Sequence, residues 1–368
     1  MRRQCGGYIF IIVLITLGVM LHLFNHYNAR YTSVTLTGSS SDSAEFFAEV
    51  NSLAHPHCLH FRERFAIAVD PHVDMDIAFT LVVHKDVGQI ARLLRMIYRQ
   101  NNYYCIHADR RSDFLFTEAL RGVATCFGTN VELVPHEQRV EVHWGYESVL
   151  VPQITCAKQA LRSHATWKYL VNLVGQDFPL RTNLELVAAL KALNGSNLVE
   201  SVELGRFAWW TNNKLLPLGV SCHLMDLSCN TLSVKWHSVG KNLSCTRITL
   251  KNTKLRLPGA CVNTPSPESE VGYNYLAKFV IWGGYNMNCT TKYVRGVCIL
   301  GSDHVALLQS VPHISANKFH ADYQPEAYDE MEQWYFRPVA AEMKSGLYNR
   351  SSFDPTIYSN LSCSQSHV

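Results

Sequence analysis

An α/β fold built on a parallel sheet is what the sequence predicts, and three observations carry that expectation. Ile77 to Val83 is a short apolar run, as a strand buried on both faces requires. Ile90, Leu93, Leu94 and Ile97 follow at the spacing of one helix face. Tyr103 to Ala108 then reads as a second strand. Strand, helix and strand with short links form a βαβ unit, right-handed by default.

The pattern continues along the chain. A helix is expected over Phe114 to Cys126 and another over Val149 to Leu161. Trp167 to Val174 reads as a third buried strand, ended by a turn at Asp177-Phe178-Pro179. Periodicity is poor from 205 to 270, where Cys222, Cys229, Cys245 and Cys261 lie among Ser, Thr, Asn and Lys. Four cysteines allow three pairings, and the sequence does not choose between them. Regular patterning returns with Tyr275 to Trp282 and Val294 to Leu300, both strand-like.

The 368 residues suffice for one large or two ordinary domains. A hydrophobic content of 47%, with 17% charged residues, fits a globular chain with a sizeable core. The net charge of +3 is small, and no Arg/Lys run is interleaved with aromatics, so nucleic acid is not an expected partner.

Gly6 to Phe24 is an almost unbroken apolar run behind Arg2 and Arg3. At about 1.5 Å per residue it reaches close to the thickness of a hydrocarbon core. The rival reading is a cleaved signal peptide, but Asn25-His26-Tyr27-Asn28-Ala29-Arg30 offers no small-x-small cleavage site. A retained signal anchor at 6–24 is therefore expected, with a cytosolic tail at 1–5. Residues 25–57, rich in Ser, Thr and Gly from Thr32 to Ser43, suit a stem. The folded domain is expected over 58–345, with a tail at 346–368. Twelve cysteines agree with an oxidising lumen, and sequons at Asn194, Asn242, Asn288, Asn349 and Asn360 are compatible with it.

The motifs that carry chemistry lie at predicted strand ends, where open α/β sheets bind ligands. His84, Asp109 and Asp177 all fall at or just beyond such ends. His84 reads equally as a satisfied core histidine, and Asp109 as a turn or cap residue. Downstream, Arg295 sits in an apolar run and Lys318 precedes Phe319, unlike charges on an ordinary solvated face. Two fixed cations and a nucleotide-type βαβ start suggest a site for a diphosphate leaving group. Asp74-Met75-Asp76 has the form of a metal-binding Asp-x-Asp, but it precedes the first strand, so a solvated loop is the better reading. His55-Pro56-His57-Cys58-Leu59-His60 could ligate a metal, although in an oxidising lumen Cys58 reads better as half of a disulfide.

These stretches resemble the core 2 / I-branching β-1,6-N-acetylglucosaminyltransferases, with xylosyltransferases as distant relatives. The similarity rests on Leu81 to Asp109, Trp167 to Asn183 and Phe279 to Phe319, in order and spacing. The resemblance implies a GT-A-like variant of the nucleotide-sugar transferase fold. It implies inverting transfer of GlcNAc from UDP-GlcNAc to O-glycan or lactosamine acceptors, without metal or other cofactor, by a single-pass type II protein of the Golgi membrane. A homodimer is left open. Carried over by position, Val82, His84 and Asp109 correspond to uridine and ribose contacts, and Arg295 and Lys318 to a diphosphate clamp. Glu200 corresponds to an acceptor-sugar carboxylate and Trp282 to the acceptor side. The family pattern also implies the disulfides Cys58–Cys126, Cys105–Cys156 and Cys289–Cys298.

One departure bears on activity. The family carries its catalytic base in a Ser/Thr-Pro-Asp-Glu segment before a Leu-Pro-Gly landmark. Here Leu257-Pro258-Gly259 is present but the Pro-Asp-Glu segment is not, and Ser266-Pro267-Glu268 follows the landmark instead of preceding it. No catalytic residue is assigned. The stretch 205–270 is expected to be poorly packed, and the chain to bind UDP-GlcNAc while transferring weakly or not at all. The rival class is an inactive relative or truncated isoform that binds nucleotide or glycan, or serves as a Golgi membrane partner.

Overall fold

The structure is a computed structural model and describes residues 40–65, 75–144, 146–164, 166–200, 260–263, 276–283, 287–361 and 364–365. The expected anchor at 6–24 lies outside these residues. Among the described residues no helix is long and apolar enough to cross a membrane.

Two helices precede the sheet, α1 (Ser40–Ala48) and α2 (Pro56–Phe65). The central region then runs β1 (Ile77–Val83), α3 (Val87–Ile97), β2 (Tyr103–Ala108), α4 (Phe114–Phe127), β3 (Val131–Leu133), α5 (Leu150–Ser163) and β4 (Tyr169–Val174). Its four strands are all parallel, in the order β3-β2-β1-β4. β1 and β2 are the inner strands and are buried at every position, which is why they read as continuous apolar runs. β4, at the edge, is mostly half-buried.

Helix starts are fixed by acidic caps. The Asp86 carboxylate accepts the Gln89 N–H at 3.0 Å, and Asp113 accepts that of Phe116 at 2.7 Å. α4 then ends at Gly128, whose φ of 135° a side chain would resist.

The chain continues with β5 (Asp177–Pro179), α6 (Asn183–Ala192), β6 (Asn197–Glu200), β7 (Ala260–Asn263), β8 (Lys278–Val280), β9 (Tyr293–Val294), β10 (Val297–Cys298), α7 (Val305–Ser310), β11 (Ser315–Asn317), α8 (Pro325–Ser345) and α9 (Thr356–Ser359), of which β5, β11 and β8 form a second, smaller sheet. β11 is central to it, antiparallel to β5 and parallel to β8. β9 and β10 form a hairpin, and β6 pairs with β7 in parallel. α8 covers this half with buried Tyr328, Met331 and Tyr335 packed around Phe178 and Phe319. It is tied to α3 by a buried ion network: Arg92 reaches Glu332 at 2.7 Å and lies over the Tyr328 ring at 4.3 Å.

Four expectations are corrected. The folded part begins by Ser40 rather than at Cys58: Phe47 is fully buried, which contributes about 1.5–3 kcal/mol. α1 also lies so close to α4 that a Cβ on Gly122 would meet the Phe47 carbonyl. Residues 346–361 are no tail, since Phe353 and Tyr358 are buried and the Tyr358 hydroxyl donates to Pro312 O at 2.5 Å. Asp177–Pro179 is a strand, because β11 supplies a partner that local sequence cannot reveal. Arg295 lies in a turn between two short strands, not within one strand. Of the stretch 205–270, only Ala260–Asn263 lies among the described residues, as β7; the packing expected of the rest falls outside them.

The pairs Cys58–Cys126, Cys105–Cys156 and Cys289–Cys298 are all bonded, with Cα separations of 5.2, 5.4 and 5.6 Å. Cys58 is thus spoken for. Glu49, His55 and His57 bring donor atoms within 4.8 Å of one another. Both Nδ1 atoms are engaged, however: that of His55 accepts the His57 N–H, and that of His57 bonds Phe46 O at 2.7 Å. Asn194, Asn288, Asn349 and Asn360 are exposed, while Asn242 lies outside the described residues.

Candidate active site

The carboxyl ends of β1 and β2 open toward the smaller sheet. β1 delivers Val82, buried, with its carbonyl accepting the Gly175 N–H at 3.2 Å. His84 follows, exposed just past the strand end. Burial lowers its pKa, Lys85, Arg295 and Lys318 lower it further, and Asp109 opposes them, so the ring is neutral near pH 7.

Asp109 is held in place from every side. Its N–H donates to Val83 O at 2.8 Å. Its carboxylate accepts the Arg111 backbone N–H at 2.8 Å, Arg111 Nη2 at 2.9 Å and the Val142 N–H at 3.0 Å. Burial pushes the carboxyl up, but the Arg111 and Val142 bonds outweigh it and hold the pKa at about 2. Asp109 is therefore a fixed anion with lone pairs directed by its own loop.

The cations come from the other half. Arg295 is at the tip of the β9–β10 hairpin with φ 53°, followed by Gly296 with φ 76°. Two positive φ values make a type I′ turn, which fits the strand twist but favours Asn or Gly over Arg at its first position. The hairpin is closed by Cys289–Cys298 and extended by Trp282, which bridges Val297. Gly283 N–H donates to Gly296 O at 2.7 Å, so Trp282 runs alongside the Arg295 turn.

Lys318 leaves the end of β11 and donates to Val294 O at 3.2 Å, touching the residue before Arg295. Burial, with the charges of Arg295 and Lys85 adding to it and Asp177 opposing, lowers its pKa to about 8. Two cations that raise each other's cost in this way, one of them buried, form a site that gains from an anion.

Two residues that build the site escaped the sequence reading. Gln89 is buried; its Nε2 donates to Gly175 O at 2.9 Å and Phe319 O at 3.2 Å, and its Oε1 accepts the Ala321 N–H at 2.8 Å. It thereby pins the segment after Lys318 to the end of β4. Lys85 lies 3.4 Å from His320 Nδ1 and 3.6 Å from Asp322. A polar residue early in a helix and a lysine in a loop look like solvated surface in sequence, so neither carried a signal. Asp177, expected at a ligand-facing strand end, is instead fully buried. It accepts from the Val174 N–H at 2.8 Å, Lys278 Nζ at 2.5 Å and Asn317 Nδ2 at 2.8 Å. It joins β5, β8 and β11 beneath the site.

The remaining residues are not brought in. Asp76, at the start of β1, bonds Thr166 at 2.5 Å and Asn101 at 3.2 Å, and stands about 25 Å along the strand direction from His84. Asp74 and Glu268 lie outside the described residues. Glu200 ends β6, and its backbone alone is placed.

A mixed α/β body with a parallel sheet, its strand ends facing a fixed carboxylate and paired cations, fits the GT-A-like class of nucleotide-sugar transferases. The chain belongs to the Core-2/I-branching enzyme family, whose sequence model matches residues 77–245. It is similar to the mouse protein named beta-1,3-galactosyl-O-glycosyl-glycoprotein beta-1,6-N-acetylglucosaminyltransferase 4, with 30% identity over 68% of this chain and 64% of the relative. It is also similar to the human and bovine proteins named beta-1,3-galactosyl-O-glycosyl-glycoprotein beta-1,6-N-acetylglucosaminyltransferase. The human protein is 29% identical over 72% of each chain; the bovine one is 27% identical over 80% of this chain and 75% of the relative. The match thus spans less than two thirds of the mouse relative's length.

Proposed function

We infer that the chain is a branching glycosyltransferase that takes GlcNAc from UDP-GlcNAc and adds it in β-1,6 linkage to an O-glycan or lactosamine acceptor. The observation that carries this reading is the meeting of Lys318 with the Arg295 hairpin at the carboxyl ends of β1 and β2. Val82, His84 and Asp109 would hold uridine and ribose there, with Asp109 as the ribose-directed carboxylate. Arg295 and Lys318 would hold the diphosphate in place of a metal. In an inverting displacement the acceptor oxygen attacks the anomeric carbon as its bond to the UDP oxygen breaks. The departing diphosphate gains charge, and two preorganised cations stabilise that charge where it develops. The acceptor hydroxyl gives its proton to a general base, which is unassigned. Glu200 and Trp282 would address the acceptor sugar. The name of the human relative, which includes both linkage and sugar, supports the reading. Residence in the Golgi membrane as a type II protein, by the 6–24 anchor, belongs to the same proposal.

A second reading is favoured by one sequence observation, the missing Pro-Asp-Glu segment. In that case the chain binds the donor but transfers roughly 10²–10⁴-fold more slowly than an enzyme with a positioned base. The test is a transfer assay of the full chain with UDP-GlcNAc and mucin-type or poly-N-acetyllactosamine acceptors, with and without EDTA. Branching activity unaffected by EDTA selects the first reading. Donor binding without transfer selects the second reading, and failure to bind UDP overturns both.

A further inference from the structure

The cations around the clamp are more numerous than the Arg295–Lys318 pair, and Lys85 is among them. Lys85 follows His84 at the end of β1, and its ammonium lies 3.4 Å from His320 Nδ1, two residues beyond Lys318. Lys318 in turn touches the residue before Arg295. Three cations from three separate elements, the β1 end, the β9–β10 turn and the segment after β11, therefore all act on the His84 ring. The nearby carboxylates are already committed, Asp109 to Arg111 and Asp177 to Lys278. Asp322 pairs with Lys85 at 3.6 Å and stands 3.6 Å from His320, but it is half exposed. Lys292 is turned aside over the Tyr323 ring at 3.7 Å. The crowding is visible in its effects. Burial first, then Lys85, holds His320 down at about 4, and Lys85 also depresses Lys318 and His84.

We propose that Lys85 is a third diphosphate-binding cation of this site, held in reserve by Asp322 until an anion arrives. The proposal rests on the nucleotide-sugar reading of the pocket and extends it to a residue outside the Arg295–Lys318 pair. An ordinary surface ion pair contributes about 0–1 kcal/mol and would leave anion binding untouched. A lysine beside two further cations has a different consequence. Its transfer from Asp322 to a phosphate oxygen exchanges a half-exposed carboxylate for a ligand that also neutralises Lys318 and Arg295.

The test is calorimetric titration of the full chain with uridine, UDP and inorganic pyrophosphate at fixed ionic strength. Lys85→Ala is expected to weaken UDP and pyrophosphate about tenfold, a charge-assisted hydrogen bond's worth, with uridine unchanged. Asp322→Asn is expected to tighten both phosphates a few-fold, and to lose that effect when combined with Lys85→Ala, because the two residues act as a coupled pair. Lys85→Gln, which keeps most of the stem, should reproduce the loss, and melting temperatures of all variants check the fold. Unchanged pyrophosphate and UDP affinity in Lys85→Ala overturns the proposal, as does an Asp322→Asn effect that persists without Lys85. Wild-type protein that binds pyrophosphate but not UDP overturns the nucleotide reading while leaving Lys85 to be judged on pyrophosphate. Wild-type protein that binds neither overturns both.

Discussion

The parallel sheet and the smaller sheet solve the same problem, placing side chains at a shared cleft, by different means. The parallel sheet does it with continuous burial: β1 and β2 are covered at every position, and their ends deliver His84 and Asp109 wherever the strands stop. The smaller sheet has strands of three residues and the hairpin beside it strands of two, too short to be held by local preference. It is held by cross-links of long sequence separation: the Asp177 ion pair to Lys278, the Cys289–Cys298 bond and the Gln89 amide bonded to both sides. The teaching is that the ligand-facing cations stand on the less self-sufficient half, so their placement depends on a few buried polar contacts.

The strongest way to break the comparison is at Asp177. Asp177→Ala removes a fully buried carboxylate and leaves Lys278 without its partner. Breaking a buried pair from one side costs about 3–5 kcal/mol. The expected outcome is a large fall in unfolding free energy by chemical denaturation. If the halves differ as argued, the loss should come first in the C-terminal half, seen as faster amide exchange in 276–320 than in β1 and β2. Equal loss of protection in both would show that the two sheets fold as one unit.

Next in size is the clamp itself. Lys318→Ala should weaken UDP by roughly 10–150-fold, the worth of a hydrogen bond between charged groups, with little change in melting temperature. The pH dependence follows from the lysine's position. Burial, with Arg295 and Lys85 beside it, holds its pKa at about 8. A diphosphate binds the protonated form, so UDP affinity should be level below pH 7 and fall as pH rises through about 8. The Lys318→Ala protein should lack that fall. Titrations between pH 6 and pH 9.5 decide it.

How much of this was legible in the sequence tracks the same division. Ile77–Val83 and Tyr103–Ala108 form strands with the bounds their apolar runs suggest, because burial on both faces writes itself into consecutive residues. α4 runs one residue beyond Cys126, a matter of where Gly128 stops it. Asp177-Phe178-Pro179 looked like a turn because a three-residue strand ending in proline has no local signature; its partner Ser315–Asn317 arrives far later in the chain. Arg295 was legible as an unusual charge in an apolar run, but not as the first residue of a type I′ turn. Gln89 and Lys85 were invisible, since hydrogen bonds to distant backbone leave no trace in residue spacing. The α1 helix was hidden for another reason: its Ser-rich start reads as stem, whereas Phe47 anchors it.

A smaller effect sharpens the contrast where the halves meet. Glu342 on α8 receives the Thr182 hydroxyl at 2.7 Å, and Thr182 caps α6. Burial, with Glu185 adding to it and the Thr182 bond opposing, raises the Glu342 pKa to about 7. The folded state thus holds a proton that the unfolded chain loses near 4.5. Between those values the unfolded state binds fewer protons, so stability falls as pH rises, and above about 7 the penalty is complete. Glu342→Gln should recover roughly 1–2 kcal/mol at pH 8 and little at pH 4.5, within the bound that the shift sets. Melting curves at the two pH values are the measurement, and a larger gain at the acid end would reverse the assignment.

The finest test separates what Arg295 does for the fold from what it does for the ligand. Its φ of 53° is left-handed, and for an L side chain that conformation costs about 1–2 kcal/mol. Glycine adopts it freely. Arg295→Gly should therefore be the more stable variant and Arg295→Ala should not, by a difference of about 1 kcal/mol in denaturant. Against UDP the two should be alike, both weakened, because each lacks the guanidinium. A turn that served only to connect β9 and β10 would be expected to carry glycine or asparagine at this position. Equal stability of Gly and Ala variants would mean the hairpin relaxes out of the left-handed region once the arginine is gone. Wild-type UDP affinity in both would mean that Arg295 stands at the tip of the turn without reaching the diphosphate.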